Sequence, residues 1–197
     1  MDRNDQGRPP GHILLTIGEG AVELLHLAFL DEIWTQAGES PADFSGRGRE
    51  TLVALGNRVD DKLATAERHV SAMRDAFADH APWIDERVSS ALASDLLPAH
   101  QRETIERVLA VEGGNFAQRA VALSESLMQR LPAERRALQT KVRDLRGDGP
   151  AITDISHDTA CGVLALATMG ELILCPETGI ACVGAFAGGA ALAHFCA

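Results

Sequence analysis

Leu52, Leu55, Val59, Leu63, Ala66, Val70, Met73 and Phe77 follow one another at spacings of three or four residues. Only an α-helix places all eight on one face, because its repeat is 3.6 residues and that of a strand is two. A long helix with a single apolar face is not stable alone in water and must bury that face against other elements. The chain is therefore expected to be all-α. Its composition agrees: there is no Tyr, aromatic residues make up 4 % of the 197, and Ala and Leu are frequent. Sheets draw instead on β-branched and aromatic side chains.

Further helices are read on either side of this one. From His12 to about Ala37, the residues Ile13, Leu14, Ile17, Val22, Leu25 and Phe29 form a broad apolar stripe. Glu19, Glu23 and His26 lie within it, so it reads as a buried helix and not a membrane span. Ser40-Pro41 has the form of a helix start, with Ser as N-cap and Pro at the first helical position. Pro82 interrupts the 52–77 helix. Leu97-Pro98 opens another that runs to about Leu131, with Gly113-Gly114 as a break or C-cap, and Pro132 opens a last amphipathic piece with Leu138, Val142 and Leu145 inward. Four or five helices with short connections suit an antiparallel bundle over residues 1–146.

"RGDGPA", Arg146 to Ala151, ends that pattern. Beyond it, residues 151–197 contain four acids (Asp154, Asp158, Glu171, Glu177) and no Lys or Arg. We read the break as a boundary between 1–146 and a second unit, 151–197.

The second unit holds all four cysteines, as C-x13-C-x6-C-x13-C. Pro176 ends a helix, and Gly179 can supply the positive φ of a reversal. Helices over roughly 159–174 and 180–196 would then form an antiparallel hairpin centred between residues 178 and 179. Residues whose numbers sum to 357 face each other, which gives nested pairs: Cys161 with Cys196, and Cys175 with Cys182. Along the seam large faces small, as in Leu164 against Ala193 and Leu172 against Ala185. Two disulfides would imply an oxidising compartment; reduced cysteines filling a core are the other outcome. The outer faces, Val163, Leu166, Met169 and Ile173 on one helix, are apolar too. They must lie in lipid or be wrapped by the bundle.

The net charge of −10 excludes nucleic acid as a partner and a basic docking face for anionic membranes. The opening MDRNDQGRPPG lacks the apolar run of a secretory signal.

This layout of helical N-terminal part, glycine-rich break and compact Gly- and Ala-rich segment with Cys at both ends resembles the precursors of halocin-type and sporulation-delaying-type antimicrobial peptides. The resemblance covers about 40 residues and rests on layout, not on a motif. It implies that 151–197 is released and acts on the lipid bilayer of a target cell, while 1–146 is carrier, inhibitor or immunity part. Secretion would then follow a route other than an N-terminal signal peptide. The alternative is a soluble, cytoplasmic all-helical scaffold or partner-binding protein whose apolar hairpin is its buried core.

Other chemistry is sparse. His157, Cys161, His194 and Cys196 could converge as a Cys2His2 zinc site at the open end of the hairpin, in competition with the Cys161–Cys196 disulfide. Glu23 and His26 match half of a di-iron Glu-x-x-His pattern with no second copy. Asp60-Asp61, Asp75/Asp79/His80 and Asp85-Glu86 read as solvent-facing acids on amphipathic helices. No phosphate loop, nucleophile elbow or dinucleotide fingerprint occurs. The expectation is a protein that is not an enzyme and carries neither metal nor cofactor.

Overall fold

The computed structural model describes residues 11–38, 46–93, 114–146, 155–175 and 196. These form five α-helices: α1 (Gly11–Gly38), α2 (Gly46–Asp79), α3 (Ala81–Ala93), α4 (Phe116–Arg146) and α5 (His157–Leu174). No strand occurs among the described residues, so the chain is all-α.

The 52–77 stripe is buried as its spacing demands, with Leu55 alone half-exposed. Small residues let α2 approach its neighbours closely. A Cβ on Gly56 would stand 2.6–2.8 Å from Val142 of α4 and the Trp34 ring of α1, and one on Gly20 would meet the Met73 sulfur. Glu23 pairs with Lys62 across the same α1–α2 contact. Further along, Asp60 accepts from Arg135 Nε and Gln139 Nε2, both at 2.9 Å, and joins α2 to α4.

The remaining long pairs follow the same rule. Gly162 of α5 fits between Leu123 and Leu127 of α4, and Gly170 of α5 lies on Ile17 and Ala21 of α1. In each pair, higher numbers on one helix meet lower numbers on the other, so α1–α2, α2–α4, α4–α5 and α5–α1 are all antiparallel. The four long helices close a ring around one continuous apolar core, to which α5 contributes Val163, Leu166, Ala167, Met169, Leu172 and Ile173. α3 packs across the ends of α4 and α5, where Asp85 Oδ1 accepts the Ala117 N–H at 2.9 Å.

Several expectations need correction. Val22 and Phe29 are not on the buried face of α1, which is instead Ile13, Ile17, Ala21, Leu24, Leu27 and Trp34. The apolar stripe is broad enough to offer two faces, and the ring takes the one on which Gly20 and Ala21 let Met73 and Gly170 approach closely. Pro132 does not open a helix; α4 runs through it from Phe116 to Arg146. Burial of Leu127, Leu131, Leu138 and Val142 against the core outweighs the lost backbone hydrogen bond. Gly114, at φ 82°, stands two residues before α4, and the segment that it was expected to break or cap lies outside the described residues. Asn115 and Gln118 then form a reciprocal cap, each side-chain oxygen accepting the other's backbone N–H at 2.9 and 3.0 Å. Pro82 does separate α2 from α3. The Ser40-Pro41 and Leu97-Pro98 starts lie outside the described residues.

Candidate functional site

The feature with most chemistry is α5 and the disulfide that closes it. Ser156 precedes the helix; its hydroxyl donates to Glu134 of α4 and sits 2.9 Å from the Thr159 hydroxyl. Just before it, the Ile155 N–H donates to Oδ1 of Asp31 on α1, a carboxylate that is itself buried. The opposite end is held by α3. Arg87 Nε donates to the Ile173 carbonyl at 2.7 Å while its guanidinium lies over the Trp83 ring at 5.0 Å. A cation on the last free carbonyls of a helix offsets their negative pole. α5 is thus pinned at both ends by groups from three other helices.

Cys161, one turn into α5, is joined to Cys196, with their Cα atoms 5.8 Å apart. The ring of His157 lies 3.8 Å from the Cys161 sulfur. With both sulfurs in the disulfide, neither offers a thiolate to a metal beside His157, and His194 lies outside the described residues. Cys175 is buried at the C-cap of α5 and carries no free thiol. Its expected partner Cys182, the turn residues Pro176 and Gly179, and the seam residues of the second hairpin arm lie outside the described residues.

Beyond Asp158 no residue of α5 is exposed. The burial extends to Glu171, 8 % exposed, whose carboxyl is pushed above the usual carboxylate range by desolvation. Sequence reasoning counted Glu171 only as a charge. The signal was available, since it is the one ionisable residue in the apolar run from Thr159 to Cys175. Asp31 and Arg87 were missed, and Asp85 was wrongly read as solvent-facing, for another reason: their partners are backbone groups 32 to 124 residues away.

Of the residues weighed for metal or acid–base roles, Glu23, Asp60, Asp75 and Asp85 hold hydrogen bonds or ion pairs. Glu23 is held below the usual carboxylate range by its hydrogen bond from Lys62, and His26 is exposed on the outer side of α1. Asp60 raises the pKa of the Arg135 guanidinium through their hydrogen bond. Beside it, between α2 and α4, an open polar groove of about 320 Å³ is lined by Asn57, Asp60, Gln139, Val142, Arg143 and Arg146. Among the described residues no three metal-ligating side chains converge. By length and composition α1 could cross a membrane over Gly11–Trp34, a test that a core helix also passes. No family model, curated protein or solved structure matches the chain.

Proposed function

We propose that the chain is a non-enzymatic, all-helical scaffold: an antiparallel bundle whose core is completed by the first arm of a C-terminal, disulfide-closed hairpin. The observation that carries this reading is the burial of α5 on nearly every face, among α1, α3 and α4. Wrapping by the bundle is one of the two environments that suit a helix apolar all round. The paired acids support it, since Asp31, Asp60 and Asp85 each hold helices together. The nested partner of the outer disulfide would be Cys175–Cys182. The outer disulfide favours an oxidising compartment over the cytoplasm.

A second reading keeps 151–197 as a membrane-active peptide stored by residues 1–146 and released by proteolysis. The bracketing Cys161–Cys196 disulfide favours it, because a closed segment would keep its shape after release. Trypsin cleavage after Arg146 separates the two. On the scaffold reading, the nicked pieces stay associated through gel filtration, and their separation in denaturant abolishes the helical signal of 1–146. Spontaneous release of a folded C-terminal piece that makes liposomes leak would replace it with the stored-peptide reading.

A further inference from the structure

The outer side of α1 carries Leu15, Val22, Phe29 and Ile33, exposed by 60, 44, 67 and 38 %. Glu19 and His26, also exposed, lie between them. Together Leu15, Glu19, Val22, His26, Phe29 and Ile33 are spaced 4-3-4-3-4, the spacing of a coiled-coil seam. At 100° per residue the six fall within a stripe about 80° wide. Nothing else in the described structure presents large apolar side chains to water in this way.

The spacing reads the same in both directions. Subtracting each residue number from 48 returns the same six positions, so the seam is complementary to itself when the second helix runs antiparallel. We infer that this face of α1 is an isologous interface with a second copy of the chain, with its two-fold axis beside residue 24. At each end of the seam, Leu15 would meet Ile33 of the second copy. In the centre, Val22 would meet His26 of the second copy, and Phe29 would cover the stem of Glu19 of the second copy. Glu19 would then stand about 4.5 Å along the axis from His26 of the second copy, a favourable pairing made twice.

Charge selects both the direction and the occupant. A parallel pair would set Glu19 against Glu19, which like charge disfavours. A bilayer would have to accept Glu19 and His26 in the middle of the stripe and come close to the Glu23–Lys62 pair beside it. The opposite face of α1 is already committed to the core. The inference concerns only the outer face of α1 and does not depend on whether α5 is permanent or stored.

The test is sedimentation equilibrium of the full chain from about 5 to 200 μM, the range suited to a small interface. The wild type should show a monomer–dimer equilibrium. Val22→Lys, which places an ammonium beside His26 of the second copy, should weaken it by about 30-fold or more, as central interface residues do. Phe29→Lys should weaken it similarly, and circular dichroism should show both variants folded, since both side chains are exposed. Glu19→Lys should weaken association, and the swapped Glu19→Lys/His26→Glu double variant should recover it. A wild type monomeric throughout, or a dimer indifferent to Val22→Lys and Phe29→Lys, would overturn the inference. So would a monomer that co-floats with phosphatidylcholine vesicles and loses that binding in Val22→Lys, because the face would then belong to lipid.

Discussion

α1 and α5 lie side by side, both apolar for most of their length, yet they stand differently toward water. α5 has α1, α4 and α3 against it, and beyond Asp158 its residues are buried or half-buried. α1 lies between α2 and α5 and leaves Leu15 and Phe29 more than half exposed. Apolar content therefore says that a helix needs cover, but not how much of it the fold supplies. The polar residues mark the difference better. On α1, Glu19, His26 and Glu32 fall on the open side, whereas on α5 the one charge past the first turn, Glu171, is sealed in.

The sharpest way to break this contrast is to release α5. Cys161→Ser should lower unfolding stability by about 2–5 kcal/mol in a reversible urea titration, because the disulfide spans 35 residues of chain. A loss below about 0.5 kcal/mol, the size of an inert surface change, would mean that packing alone holds α5 in place.

A smaller effect separates the two sides of the α1–α5 contact. A Cβ on Gly170 would sit 2.9 Å from the Ala21 Cβ, an atom fixed to a helix backbone, so Gly170→Ala should destabilise by about 1–3 kcal/mol. A Cβ on Gly18 would meet only the Leu174 Cδ1 tip at 3.0 Å, which can rotate away. Gly18→Ala should therefore be neutral or stabilising by up to about 1 kcal/mol, from helix propensity. Equal losses at the two glycines would contradict the packing described above.

Glu171 gives the contrast a pH dependence. Its raised pKa means that the native chain keeps a proton that the unfolded chain releases from about pH 4.3 upward. Bound protons are then more numerous in the native state, and this group's contribution to stability falls as pH rises through that window. Glu171→Gln should remove that fall, so the variant should gain on the wild type as pH rises above about 4.3. Parallel stability profiles for the two proteins would show that Glu171 is ionised without penalty. At the bottom of the scale, Phe29→Ala on the open side of α1 should change monomer stability by no more than about 0.5 kcal/mol. A core-sized loss there would mean that the outer face is covered within the monomer.

Helical class and the inward face of α2 were legible because a 3.6-residue period survives in sequence whatever the neighbours are. The facing of α1 was not, since Val22 and Phe29 satisfy that period as well as Ile17 and Leu24 do. Choosing between them required knowing that Gly20 and Ala21 admit Met73 and Gly170. Pro132 misled for a related reason: local propensity forecasts a boundary, and only the core on both sides of it carries α4 through. The Cys161–Cys196 pair agrees with the one expected from numerical symmetry, while the reversal assumed for that symmetry lies outside the described residues. Asp31 and Arg87 could not, as their partners are backbone groups made available only by the tertiary fold.

The contact between α1 and α5 joins residues that are far apart along the chain, such as Gly18 with Leu174 and Asp31 with Ile155. On the ribosome, α1, α2 and α4 emerge before α5 exists, so they can assemble only a three-sided trough. Synthesis must proceed past residue 175 before that trough is filled, and contacts of such long sequence separation form slowly. A chain stalled near Arg146 would display the Ile17, Ala21 and Leu127 side of its interior to water. Such a nascent chain is a natural client for chaperones, and it remains one until α5 has been made.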